Sequence, residues 1–553
     1  MNTVLVLGGY GGFGARLSRR LSEDGWRVLV AGRSFAKAKR LAAELPGAEP
    51  LVADRNADLT PLLRQHRPLL LIDAAGPFQG SGYRVAEACI AERVHYIDLA
   101  DARAFVCAIG DLDERARAAG VAVISGASSV PALSGAVLAE LARGMDKVRS
   151  VAMSICASNQ VTAGASVATA ILSYVGKPFR VWKGGMWQEG IGWRRLRRDV
   201  YAVEGRRPLR RWVALADVPD YELVPESLPG RPSVIFRAGP EAAFQVFGLW
   251  LLSWLVSWGW VDSLTGLSRW LLPLQRLTTG RVSGRSAMAV EVKGICRGVP
   301  TIRRWTLVAE DGCGPEVPTL AAQLLARDIR QGLLPVGARP AGDLLRVASF
   351  RELFAALSIK DEITTTRYEP LYRRILGQGL DRLPGPVRAM HDAIGDGGAA
   401  GTATVVRGKS GPARLIGAVM RFPPEGTHRV HVTFEEENGA ERWTRRFSDR
   451  SFSSAMSQQG KFLVERFGPL RFFFSLLPDS SGLKMVMAKW SLLGIPLPLS
   501  LAPRSLASET GVEGAFHFDV SITLPLIGLI VHYKGRLALD STEPRMSPAP
   551  AMN

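Results

Sequence analysis

The chain has 553 residues, 47% hydrophobic and 22% charged, long enough for about three or four cores and too apolar to stay disordered. Its 69 Lys and Arg outweigh 51 Asp and Glu, and the net charge of +18 suits phosphorylated cofactors or anionic headgroups. No zinc finger, basic-aromatic RNA motif or long Lys/Arg block accompanies that charge, so a nucleic-acid partner is set aside. The five cysteines, Cys89, Cys107, Cys156, Cys296 and Cys313, are scattered without CxxC or metal-ligand spacing, so no metal is expected and a reducing cytoplasm fits. No secretory signal precedes the first strand pattern, which begins at Thr3.

Short apolar runs at Thr3 to Leu7, Val28 to Ala31, Pro50 to Ala53, Leu69 to Ile72 and Val121 to Ile124 punctuate the first 135 residues. Between them, Ala15 to Asp24 and Ala36 to Leu45 carry apolar residues at helical spacing. Such alternation predicts an α/β domain with a Rossmann-type parallel sheet. The first strand runs into Gly8-Gly9-Tyr10-Gly11-Gly12-Phe13-Gly14. Gly9, Gly11 and Gly14 satisfy the GxGxxG spacing, in which the first glycine permits a tight turn, the second admits a diphosphate and the third lets helix and strand pack closely. Residues Gly9, Tyr10, Gly11, Gly12, Phe13 and Gly14 are therefore candidate cofactor contacts, served by a helix N-terminus.

The second strand ends at Gly32-Arg33-Ser34, where an NAD enzyme usually places an acid. A cation followed by a hydroxyl suits a 2′-phosphate, so Arg33 and Ser34 favour NADP over NAD; the plain alternative is that Arg33 caps a surface loop. Asp54 stands where an adenine contact is expected and could equally cap a helix.

The fourth strand leads into Ile72-Asp73-Ala74-Ala75-Gly76-Pro77-Phe78, followed by Ala88-Cys89-Ile90 and by Val94-His95-Tyr96-Ile97-Asp98-Leu99. With the glycine loop, these segments resemble the N-terminal domain of the saccharopine dehydrogenase-like oxidoreductases, which show a GPF or GPY turn, an alanine-cysteine helix and a "hYvDl" strand in this order. The resemblance covers residues 3 to about 135 and continues faintly through Asp311 to Glu316. It implies hydride transfer between nicotinamide and a carbon–nitrogen or activated carbon–carbon double bond. It places Ala75, Gly76, Pro77 and Phe78 at the nicotinamide end and Asp98 close by, as a catalytic candidate that orients an amine or relays a proton. Members that handle amino acids follow this aspartate with a glycine-glutamate pair; here Leu99-Ala100-Asp101-Ala102-Arg103 follows, which speaks against an amino-acid substrate and brings Asp101 or Arg103 forward as contacts.

Residues 136–360 read as an α+β substrate or dimerisation domain, with strands at Val151 to Cys156, Ala287 to Lys293 and Ile302 to Ala309 and a helix over Pro318 to Gln331. A hydrophobic helical segment occupies 242–278. Ala242 to Val261 is uncharged, with Trp250, Trp254 and Trp258 on one helical face and Arg269, Arg276 and Arg281 after it. Three readings stay open: a helix in the membrane interface or against a lipophilic substrate, a core or homodimer helix, and a bilayer span. Lys360 to Tyr368, polar and rich in threonine, reads as a linker.

Residues 368–540 read as a mainly antiparallel β domain, from alternation such as His428 to Phe434 and Phe516 to Thr523. Leu371 to Gly377, Gly401 to Ala403, Arg421 to Pro424, Trp443 to Phe447, Glu465 to Pro469, Gly494 to Pro498 and Gly528 to Tyr533 resemble a bacterial domain of unknown function, number 4166, which implies no activity. His428 and His431 fall on opposite faces of a strand and do not share a metal. The proline-rich tail 541–553 reads as disordered. The expectation is an NADP-dependent oxidoreductase of a lipophilic small molecule, cytoplasmic with peripheral contact at the inner membrane face. The alternative is a non-catalytic NADP-binding protein that senses the cofactor at a membrane surface.

Overall fold

The computed structural model describes residues 2–159, 164–267, 283–392, 397–437, 439–447 and 450–539. Three large sheets and a two-stranded one, Pro178–Lys183 with Met186–Ile191, organise them. The first is parallel throughout and contains β1 (Thr3–Leu7), β2 (Arg27–Gly32), β3 (Glu49–Val52), β4 (Leu70–Asp73), β5 (His95–Asp98) and β6 (Ala122–Ser125) in the order 6-5-4-1-2-3. This is the order of a doubly wound dinucleotide-binding sheet, whose topological switch lies between β1 and β4. Strands buried on both faces need continuous apolar sequence, and Val4, Leu5, Val6, Val28, Val30, Leu70, Leu71 and Ile72 are fully enclosed.

A seventh parallel strand, Gly337–Pro340, joins the sheet beside β6. The sheet thus draws on sequence well beyond residue 135. The helix Val317–Arg330, which precedes that strand, packs on α1 (Gly12–Glu23), where Arg327 holds Asp24 with both nitrogens at 2.7 Å. Glu316, just ahead of it, takes Arg20 at 2.8 Å and Arg16 at 3.1 Å.

The second sheet is mixed, in the order Arg197–Tyr201, Leu209–Leu215, Ser233–Pro240, Lys147–Ala157, Ser286–Cys296, Val299–Ala309, Ile359–Arg367. The threonine-rich tract expected as a linker forms its edge strand, Ile359–Arg367, paired antiparallel with Val299–Ala309. β-Branched side chains suit a half-exposed pleated edge, and Trp305 Nε1 pins the strand by donating to Asp361 Oδ2 at 2.7 Å. The hydrophobic segment forms the helix Ala243–Ser257, and among the described residues no helix is long and apolar enough to cross a membrane. Of the three readings of this segment, the bilayer span finds no such helix. Arg269, Arg276, Arg281 and the tail 541–553 lie outside the described residues.

The third sheet is wholly antiparallel and closes into a barrel. Its first strand, Gly397–Arg407, pairs with its last, Gly528–Leu539, and Leu470–Pro478 pairs with Gly482–Leu492. The short helices Leu371–Leu376 and Gly385–His391 contribute Leu371, Tyr372, Val387 and Met390 to its core. The barrel meets the second sheet through Glu436 and Lys293, and the two-stranded sheet through Glu435 and Lys183 at 2.9 Å.

Candidate functional site

β1 delivers the chain to the glycine loop at the carboxyl edge of the sheet, and α1 begins at Gly12 with Gly11 as its N-cap. Gly11 has no side chain to accept from the helix, so the first-turn amides keep no capping partner. A Cβ on Gly12 would meet nothing within 4 Å, so the space in front of those amides is open. An open N-terminus with unpaired donors and the positive end of the helix dipole fits a diphosphate. The loop is compact behind that opening: Gly11 N donates to Gly8 O at 2.8 Å, and Gly9 N to Ala31 O at 3.0 Å. A Cβ on Gly14 would stand 2.1 Å from Gly8 O, so the helix lies against the strand as only glycine permits. A Cβ on Gly11 would meet only Gly8 O, at 3.1 Å, which leaves its outer side for a ligand.

Tyr10 crosses from this loop to the next. Its hydroxyl accepts from Ser34 N at 2.8 Å, and its ring covers Gly32 at the end of β2. Phe13 is half-buried against the core behind the loop. Ser34 caps the helix Phe35–Ala42, its hydroxyl accepting from Lys37 N at 3.5 Å. Arg33 beside it is exposed and makes no hydrogen bond or ion pair among the described residues. Asp54 is also exposed, and its carboxylate accepts from Asn56 N at 3.0 Å, closing a turn rather than capping a helix.

At the switch point, Asp73 and Asp98 stand side by side at the ends of β4 and β5. Both are fully buried. Burial raises Asp73, and Arg55 opposes it, with Nε donating to Asp73 Oδ2 at 2.7 Å. Arg55 also donates to Ser81 Oγ at 2.8 Å and lies over the Phe78 ring at 4.7 Å. One guanidinium thus pins both ends of the loop that carries Ala75, Gly76 and Pro77. Ala75 and Gly76 are partly accessible and Pro77 is exposed. Phe78 differs from the expectation: it is buried, turned onto Arg55 and packed against Phe105 at 5.3 Å, because an aromatic ring gains more from apolar contact than from an open cleft.

Asp98 Oδ1 accepts from Gly126 N at 2.8 Å, Ala100 N at 3.0 Å and Ser125 Oγ at 3.0 Å. Its Oδ2 is buried with no hydrogen-bond partner among the described residues. Burial pushes Asp98 up to about 6, against those hydrogen bonds and helped by the neighbouring Asp73. A side chain without exposed surface does not touch a substrate in this conformation. Through these hydrogen bonds Asp98 ties the end of β5 to the turn after β6. Arg103 is likewise spent, donating to Glu222 at 2.9 Å, Asp217 at 3.1 Å and Arg180 O at 2.6 Å, which joins the nucleotide sheet to the second one. Asp101 accepts from Gln79 Nε2 at 3.3 Å.

Residues 4–124 match the saccharopine dehydrogenase NADP binding domain. Residues 383–537 match domain of unknown function 4166. The first match and the sheet order make the N-terminal region an oxidoreductase-type domain for a nicotinamide dinucleotide, as its sequence motifs imply. Among solved structures, apo histidine-tagged saccharopine dehydrogenase (L-Glu forming) from Saccharomyces cerevisiae is 14% identical, aligned over 66% of this chain and 100% of its own with a TM-score of 0.49. GenD2 from gentamicin A biosynthesis, solved with NAD, is 14% identical over 66% of this chain and 96% of its own, with a TM-score of 0.31. Neither likeness bears on substrate. No curated protein matches the chain.

Sequence reasoning missed Arg55, Ser125 and the Arg16–Glu316–Arg20 contact behind the phosphate helix. Arg55 follows Asp54 in a loop without periodicity, and its partners Asp73 and Ser81 belong to another loop, so nothing local marks it.

Proposed function

We propose that the protein is an NADP-dependent oxidoreductase acting on a carbon–nitrogen or activated carbon–carbon double bond of a lipophilic small molecule. The observation that carries the cofactor choice is Arg33, an exposed and uncommitted cation at the end of β2, next to the Ser34 hydroxyl and without an acid in that place. The amides of residues 11–14 would hold the diphosphate, Arg33 and Ser34 the 2′-phosphate, and Ala75, Gly76 and Pro77 the floor beneath the nicotinamide. The cofactor supplies a hydride at its dihydropyridine ring. The chain's own part is to position: Arg55 fixes the 75–81 loop, and Asp98 fixes the turn after β6.

The substrate reading is supported by what Arg103 does. The one cation directly following the Asp98 loop is committed to Asp217 and Glu222, so it is not held free for the carboxylate of an amino acid. A second reading, an NADP-binding protein without turnover, is favoured by the enclosure of Asp98, the titratable side chain at the end of β5. Titration with NADPH and NADH, followed by a screen of imines and enoyl compounds for NADPH oxidation, separates the two. Turnover of an enoyl or imine supports the reductase, tight NADPH binding with no turnover across the screen supports the sensor, and no binding sinks both.

A further inference from the structure

Phe244, Phe247, Leu251 and Trp258 are 54%, 37%, 60% and 59% exposed on the helix Ala243–Ser257 and its C-cap. They fall at i, i+3, i+7 and i+14, which is one stripe of an α-helix. Trp260, 73% exposed, continues the stripe past the helix end, with its ring 5.5 Å from that of Trp258. The opposite side of the helix is seated on the protein: Val246 and Ser253 are buried, Leu249, Trp250, Leu252 and Val256 pack half-buried on the cluster of Leu172, Val175 and Trp193, Trp193 Nε1 donates to Val246 O at 3.2 Å, and Ser257 Oγ donates to Gly176 O at 2.9 Å. A contiguous exposed aromatic and leucine stripe on a helix anchored in this way marks an interaction face.

The exposed charges on the strands beside the stripe are basic. Trp212 packs its ring 5.2 Å from Phe247, so the face of Leu209–Leu215 that carries Arg210 and Trp212 adjoins the helix. The strand register sets Arg198 opposite Trp212 and Val200 opposite Arg210, and directly opposed residues share a face. Arg198, Val200 and Arg210 are all exposed there. Arg194 lies over the Trp254 ring at 3.2 Å, and Lys177 is exposed beside the Gly176 that receives Ser257. No acidic side chain occurs from Ala242 to Val261; of the two acids that bracket the segment, Glu241 is paired with Arg211 at 2.9 Å and Asp262 is exposed at the far end.

We infer that this face seats on an anionic bilayer surface, the helix lying in the interface plane, with its aromatic stripe at the headgroup boundary and Arg198 and Arg210 on lipid phosphates. Aromatic and leucine side chains with basic neighbours are the composition of such helices, and the helix is too short to cross. A second copy of the chain fits less well, because a two-fold contact sets the same basic rim against itself on molecules of net charge +18. The inference goes beyond the oxidoreductase reading and does not depend on it.

The test is sedimentation of the full-length protein with vesicles of phosphatidylcholine alone and of phosphatidylcholine mixed with phosphatidylglycerol. The expected result is binding to the mixed vesicles with a blue shift of tryptophan emission, and binding weaker by about tenfold or more on the neutral vesicles or at high salt. Arg198→Glu with Arg210→Glu, both at exposed positions, lowers the affinity by about tenfold or more. Leu251→Ser with Trp258→Ser removes the emission shift, and NADPH affinity stays unchanged in both variants. Equal binding to the two vesicle types, or none by the wild type, overturns the inference. It is also overturned if the protein is a dimer that Leu251→Ser with Trp258→Ser splits, without vesicle binding, since the face is then a contact between copies.

Discussion

At the carboxyl edge of the nucleotide sheet the chain leaves polar groups open to the outside, whereas the barrel closes over its own. The first-turn amides after Gly11 lack a capping partner and Arg33 is exposed and unpaired among the described residues. In the barrel, His391 has a side chain with no exposed surface and shares a hydrogen bond with Glu509, its ring stacked 3.8 Å from that of Tyr372. Trp443 Nε1 donates to Glu441 Oε2 at 3.0 Å, and Arg445 donates to Ser454 Oγ at 3.0 Å. Polar groups left open are there for a ligand to satisfy; polar groups sealed together specify one packing of the strands around them.

The comparison breaks most visibly if the barrel cluster is dispensable. Glu509→Ala removes the buried acceptor of His391 and is expected to cost the barrel about 3 kcal/mol, read from urea denaturation, with NADPH affinity unaltered. A variant as stable as the wild type contradicts the sealed-cluster account.

Asp98 gives an effect of similar size that depends on pH. Its carboxyl is raised from 3.8 to about 6, so the folded state keeps a proton that the unfolded chain has lost. The stability it contributes is present below the unfolded value and is lost as pH rises through about 6. Asp98→Asn keeps an acceptor for Gly126, Ala100 and Ser125 and removes that loss. Relative to the wild type it should gain about 3 kcal/mol between pH about 4 and pH about 8, measured by denaturation at each pH. Parallel pH profiles for the two proteins count against the enclosure of Asp98.

Arg33→Ala sharpens the open half of the comparison: NADPH affinity is expected to fall about ten- to a hundredfold while NADH affinity holds. Equal losses for both nucleotides would make Arg33 a structural residue. The smallest effect expected is from Arg103→Met, about 1 to 2 kcal/mol in the stability of the joint with Asp217 and Glu222, seen as a lower melting temperature without change in NADPH affinity.

How much was legible in the sequence follows the same divide. The glycine loop and β1 to β6 are legible because their information is consecutive: an apolar run, a turn, a helix. The position of Asp98 at the end of β5 is legible as well, but its enclosure is not, since that depends on the turn at Ser125 and Gly126. Gly337–Pro340 has four residues and no period, so only its place beside β6 reveals it as a strand. The tract Lys360 to Tyr368 misleads because threonine serves both polar loops and exposed edge strands. Barrel closure rests on Gly397–Arg407 meeting Gly528–Leu539, and His391 meets Glu509 across 118 residues, distances at which single-sequence patterns carry no information.

The central claim is that the amides after Gly11 hold a nicotinamide dinucleotide, and titrating the protein and its Gly11→Val variant with NADPH and NADH by fluorescence tests it most directly. The wild type should bind NADPH more tightly than NADH, and Gly11→Val should lose NADPH while keeping its circular dichroism spectrum. An absence of affinity for both nucleotides, or a variant that binds NADPH as the wild type does, would contradict it.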